Sequence, residues 1–195
     1  SSISPEVTKE IYATLKKKNI NLIDAPVSGG RVGAEAGKLS IMVGGDEDTF
    51  ESVKDVLSCL GQNISYMGSS GAGQTTKICN QIICAGTAIT MSESIALGKK
   101  AGLDLNKLRE VLMSGGANCW HLEHKMPPMI EGDFQPSFKT ELLFKDINLA
   151  VEKAEAEGLE LEVLRKSKEM YEKLIEDLGG QDDYTVIVKQ IYKDF

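Results

Sequence analysis

The chain has 195 residues, 42% of them hydrophobic and 26% charged, with a formal net charge of -7 and a pI near 5.0. That length holds one large domain or two small ones around a real core, and the acidic balance, with lysines clustered only at Lys16 to Lys18, argues against a nucleic-acid surface. A membrane span needs about 18 uninterrupted apolar residues, and the best candidate is broken by Lys77, Asn80, Gln81 and Glu93, so no membrane insertion is expected.

In chain order, Ser4 is a natural N-cap and Pro5 a natural first helical residue, which predicts a helix over 5–18. The opening reads as neither a targeting peptide nor the start of a domain, so an N-terminal portion upstream of Ser1 is expected. An apolar run NLIDAPV, a glycine-rich loop to about Gly37, the run KLSIMVGG, a helix over 47–60 and the run NISYMG follow, the rhythm of an α/β layer over residues 1–70. A sheet of three short strands leaves an edge unpaired and a face thinly covered, which again points to missing N-terminal strands. From Gly73 onward helical periodicity runs to the end, with breaks near Gly102, Gly115, Pro127, Pro136, Gly158 and Gly179. Residues 71–195 are therefore expected to form an all-helical domain. Its opening helix, over 73–101, would be about 40 Å long at a rise of 1.5 Å per residue, and its stretch from Ile82 to Leu97 reads as a buried rod.

The chemistry concentrates in GAGQTTKICNQ, Gly71 to Gln81. Lys77, Asn80 and Gln81 stand at i, i+3 and i+4 and project from one side of a helix. An ammonium on such a helix loses hydration, which favours the neutral amine and lets the lysine trade protons near neutral pH. In DAPVSGG, Asp24 to Gly30, the Ser28-Gly29-Gly30 turn leaves a strand and can aim a hydroxyl and successive backbone N–H groups at an anion. His121 and His124 share a helix face in WHLEH, but zinc wants three or four protein ligands and the chain has no third histidine, so no metal is expected. Trp120, Leu122, Met126, Phe138 and Phe144 divide between core packing and pocket wall. Cys59, Cys79, Cys84 and Cys119 show no CxxC spacing and read as reduced thiols in a reducing compartment.

Four motifs in order, SSISP, DAPVSGG, GAGQTTKICNQ and FKTELLFKDINLA, span Ser1 to Ala150 and resemble the β-hydroxyacid dehydrogenases, the family of 3-hydroxyisobutyrate dehydrogenase and tartronate semialdehyde reductase. The resemblance implies the C-terminal part of a Rossmann-like NAD-binding domain followed by an all-helical domain like the C-terminal one of 6-phosphogluconate dehydrogenase. It implies NAD or NADP as cofactor, a small β-hydroxy acid as substrate, and Lys77 as the catalytic acid–base. Asn80 and Gln81 would hold the substrate, Ser28, Gly29 and Gly30 its carboxylate, and Ser1 and Lys145 the cofactor. A homo-oligomer is expected, in bacterial cytoplasm or in the mitochondrion of a eukaryote. Many relatives carry Asn-Asn where this chain has Asn80-Gln81, a difference associated with the tartronate semialdehyde type, and the family's glycine-rich dinucleotide loop is absent from these residues. A fold kept as a non-catalytic scaffold is the rival reading.

Overall fold

The computed structural model describes residues 2–193, and Ser1 lies outside them. The chain divides into two compact units: one runs through Gln81 and includes Glu152–Glu157, the other holds Ile82–Val151 and the residues from Gly158 on.

The first unit opens with α1 (Pro5–Lys16), capped as its sequence suggests, with the Ser4 hydroxyl accepting from the N–H groups of Glu6 and Val7. Tyr12 donates to Asp46 at 2.6 Å and Lys16 pairs with the same carboxylate at 3.1 Å. Lys153 reaches Glu6 at 2.9 Å. The sheet is built on β3 (Leu39–Gly45), which pairs in parallel with β4 (Gly61–Gly68). Two short strands, β1 (Ile23–Asp24) and β2 (Val27–Ser28), lie antiparallel to β3. Because β4 occupies one edge of β3, both take the other, end to end, with Ile23 opposite Gly45 and Ser28 opposite Ser40. The run NLIDAPV is thus one extended edge interrupted at Ala25-Pro26, where proline has no N–H to give a ladder. Between β2 and β3 the expected glycine-rich loop is instead a short helix, α2 (Gly30–Glu35). Crossover from β3 to β4 is made by α3 (Glu47–Ser58). Alternate residues Ile41 and Val43 of β3 point to one face, as strand periodicity requires, and meet Phe50 of α3 in a small core, where Phe50 stacks on Tyr66 with ring centroids 5.5 Å apart.

The long helix α4 (Ala72–Lys100) begins in the first unit and passes into the second after Gln81. It is not the uniformly buried rod that its composition suggests. Ala85, Ala88, Ile89, Met91 and Ile95 are buried, but Ile83 is 67% and Leu97 74% exposed. Apolar residues occur all round this helix, so the sequence carries no amphipathic signal to say which face is covered.

In the second unit α4 is joined by α5 (Leu105–Ser114), α6 (Trp120–His124), α7 (Met126–Glu131), α8 (Thr140–Ala156, leaving the unit after Val151), α9 (Glu162–Leu178), a 3-10 turn at Tyr184–Ile187 and α10 (Val188–Ile191). Leu108 of α5 packs close over Gly98 of α4, where a methyl group would sit 2.7 Å from a Leu108 methyl and displace that side chain. Met126, Met129, Leu143, Ile147, Tyr171, Leu174 and Ile187 form the fully buried centre. Through that centre runs a polar keystone: Asp183 Oδ2 accepts from Lys125 Nζ at 2.7 Å, from the Ser137 hydroxyl and N–H at 3.0 Å, and from Phe138 N–H at 3.2 Å. Its Oδ1 accepts from the Thr185 hydroxyl at 2.9 Å. Among the described residues no helix is long and apolar enough to cross a membrane.

His121 sits beside this keystone, buried, with Nε2 lacking a hydrogen-bond partner. Burial pushes its pKa below the ordinary 6.5 and the Lys125 charge adds to that, while Asp183 opposes it. The unfolded chain therefore takes up a proton on this residue at a higher pH than the folded one, so stability rises with pH up to about 6.5 and is lost as pH falls below it. We expect the denaturant midpoint to drop between pH 7.5 and about pH 5.5, and His121→Asn to shrink that drop; an undiminished drop in the variant would assign the acid lability elsewhere.

Candidate functional site

The start of α4 is seated directly on the sheet. Its first turn holds no acidic residue of its own. The missing cap comes from β1: Asp24, only 6% exposed, accepts from Gly71 N–H through Oδ1 and from Gln74 N–H through Oδ2, both at 2.8 Å and across 47 and 50 residues of sequence. A carboxylate is favoured there because the free N–H groups and the helix dipole put positive charge at that end. Two glycines make the approach possible. A Cβ on Gly73 would abut the Met42 carbonyl and lie 2.8 Å from both the carbonyl and Oδ2 of Asp24, and one on Gly44 would lie 2.7 Å from Asp24 Oδ1. Gln74 is buried too, and its side-chain oxygen accepts from Ile3 N–H at 3.3 Å.

One turn after Gln74 comes Lys77, half-buried, followed by half-buried Asn80 and buried Gln81. The Asn80 amide donates to Gln81 Oε1 at 3.4 Å, which ties the two amides together. Lysine and amides thus share the first turns of α4, offering a proton carrier beside hydrogen-bonding groups suited to a small oxygenated substrate.

The Ser28 turn belongs to the same unit and leaves the end of a strand, one that runs antiparallel in the sheet. Ser28, half-buried, ends β2, which runs antiparallel to β3, and stands opposite Ser40 near the beginning of β3. Asp24 stands opposite Gly44 near its end. Gly29 and Gly30 are exposed and take φ of +130° and +60°. A side chain on Gly30 would meet nothing within 4 Å, so its backbone conformation, not space, calls for glycine. Lys145 lies on α8 in the second unit, its Nζ 3.0 Å from Oδ1 of Asp146, with the two side chains 45% and 2% exposed. Ser1 is outside the described residues. Of the histidines, His121 is buried, whereas His124 is exposed and stacks on Trp120 at 4.5 Å between centroids. No group of three metal-ligating side chains exists among the described residues.

Sequence reasoning passed over Asp24, although it had a usable signal: a helix start written Gly-Ala-Gly, without an acidic residue in its first turn, calls for an acceptor from elsewhere.

Comparison with known proteins covers nearly the whole chain. Residues 1–68 match the family described as the NAD binding domain of 6-phosphogluconate dehydrogenase, and residues 71–191 match the NAD-binding family of NADP-dependent 3-hydroxyisobutyrate dehydrogenase. The 2-hydroxy-3-oxopropionate reductase of Escherichia coli is 41% identical over 191 residues, 98% of this chain and 65% of the relative. An uncharacterized oxidoreductase of Bacillus subtilis is 39% identical over 189 residues, 95% of this chain and 66% of the relative. The chain thus spans about two thirds of the length of these curated relatives. Among solved structures, 3-hydroxyisobutyrate dehydrogenase of Mycobacterium tuberculosis with L-serine superposes at a TM-score of 0.90 and 32% identity, over 98% of this chain and 68% of that one.

Proposed function

Because this chain belongs to the β-hydroxyacid dehydrogenase family, we propose that the complete protein interconverts a small β-hydroxy acid, such as 3-hydroxyisobutyrate, and its carbonyl form. NAD or NADP supplies the acceptor or donor of the hydride. The observation that carries the reading is the placement of Lys77 with the joined Asn80–Gln81 amides on the first turns of α4. During oxidation the Lys77 amine takes the proton of the substrate hydroxyl as the carbon-bound hydrogen departs, and during reduction its ammonium returns one to the carbonyl oxygen. The amides of Asn80 and Gln81 hold that oxygen beside Lys77, and the hydroxyl of Ser28 with the backbone N–H groups of Gly29 and Gly30 binds the carboxylate. For the reactive end of the cofactor we assign Lys145, whose side chain is 45% exposed and paired with Asp146, together with Ser1. The chain itself holds no G-x-G-x-x-G run for the diphosphate.

Asn80-Gln81 in place of Asn-Asn favours a second reading within the same chemistry, reduction of tartronate semialdehyde to glycerate. The decisive assay follows reduced nicotinamide for the complete gene product, offered 3-hydroxyisobutyrate, 3-hydroxypropionate or glycerate with NAD or NADP. Turnover is expected, and the ranking of substrates chooses between the readings. No turnover and no cofactor binding by a folded protein would favour a scaffold. We further assign a homo-oligomer, supported by the exposed stripe of Ile83, Thr90 and Leu97 at seven-residue spacing on α4; a monomer in sedimentation would remove this assignment. Four cysteines without disulfides among the described residues suit the cytoplasm, or a mitochondrion.

A further inference from the structure

We propose that Asp24 is a positioning residue of the reaction, setting α4, and with it Lys77, against the strand segment that leads into Ser28. The inference rests on the proposed chemistry of Lys77 and extends it to a residue whose two carboxylate oxygens are both engaged by the backbone of α4.

Three observations point the same way. Asp24 is buried, and its two carboxylate oxygens are each used on a different backbone N–H of the α4 start, Gly71 and Gln74. Two-point attachment fixes rotation as well as height, whereas a single cap bond would leave the helix free to turn about it. Next, Gly44 and Gly73 close round the carboxylate, each leaving less than 3 Å for an added carbon. Apart from the carboxylate itself, the contacts that close this seat are to backbone atoms of Asp24, Met42, Ala72 and Gly73. Finally, both catalytic segments lead away from this carboxylate toward the C-terminus, one along α4 and the other along the β1–β2 edge. Gln74, held by Oδ2, is one turn before Lys77 on the same helix face. Asp24 is four residues before Ser28, and the intervening Pro26 is itself held to the sheet, accepting from Met42 N–H at 3.0 Å. One side chain thereby references the proton carrier and the anion-binding turn to the same point. A displacement of about 1 Å in such an arrangement costs on the order of 100-fold in rate.

The charge has a second consequence. A carboxylate at the helix start offsets the positive end of the helix dipole, which acts on any ammonium in the first turns. Removing it disfavours the charged form of that ammonium.

The test uses the complete protein and Asp24→Asn, which keeps shape and one acceptor but turns the other contact into a donor facing a donor. We expect kcat/KM to fall about 10- to 100-fold with cofactor affinity unchanged. The acid limb of the oxidation pH profile should move to lower pH by about half a unit. Amide hydrogen exchange should quicken over residues 71–77 and stay unchanged over β3 and α3. Asp24→Glu should not rescue, because the glycine-lined seat has no room for another methylene. Unchanged turnover with an unmoved pH limb, exchange that quickens evenly across the unit, or outright unfolding of Asp24→Asn would each overturn the proposal. If the wild-type protein proves inert on every substrate, the reading of Lys77 fails while the exchange pattern still decides whether Asp24 holds the helix start.

Discussion

Lys77→Ala in the complete protein will lower kcat by about 100- to 10,000-fold, the contribution that a positioned acid–base group makes, while leaving cofactor affinity nearly intact. The reason is positional. Lys77 projects from the second turn of a helix whose start is fixed to the sheet through Asp24 at two points, each 2.8 Å long. Alanine leaves no group at this position that can carry the proton, while the Asn80–Gln81 amide pair beside it stays in place. The loss should fall in kcat and kcat/KM alike, since proton transfer is a transition-state interaction. Asn80→Ala offers the contrast: it removes the proposed substrate contact and one side of the amide pair, so KM for the hydroxy acid should rise with a smaller effect on kcat. Near-normal turnover in Lys77→Ala would sink the assignment.

The second large effect is on stability. Asp183→Ala should destabilise the second unit by about 3–5 kcal/mol, the cost of leaving one partner of a buried ion pair uncompensated, read as a fall in the denaturant midpoint. The Lys125 and Asp183 side chains are 8% and 4% exposed, too little water to solvate the ammonium left behind. Ser137 and Phe138 would lose their acceptor at the same stroke. Burial pushes the Asp183 carboxyl up, but the Lys125 charge and the hydrogen bonds from Lys125, Thr185 and Phe138 outweigh it and hold the group below the ordinary 3.8. A carboxyl lowered in the fold stabilises above its unfolded pKa, so this contribution is present above about pH 4 and is lost as pH falls through the lower folded value. His121 acts over a higher window, below about 6.5, which separates the two groups in one acid titration. Adding Lys125→Met to Asp183→Ala should recover part of the loss, because the double variant no longer buries a lone charge. Equal instability in the single and double variants would show that the hydrogen bonds to Ser137, Phe138 and Thr185, and not the ion pair, carry the keystone.

What the sequence determined by itself is whatever neighbouring residues encode. Ser4 and Pro5 mark the start of α1, the run from Ala72 to Lys100, free of proline, makes α4 a single helix of 29 residues, and Gly115 and Gly179 stand at the ends of α5 and α9. The family motifs are likewise contiguous, so Lys77, Asn80 and Gln81 could be placed on one helix face before any coordinates. The tertiary structure alone decided features that join residues far apart. That β1 and β2 run antiparallel along β3, that Asp24 caps a helix 47 residues away, and that Asp183 gathers Lys125, Ser137 and Thr185 are matters of long-range pairing. No local periodicity records which acceptor a distant N–H will find, nor which side of an apolar helix the core will cover, because both depend on loop closures that bring separate segments into register.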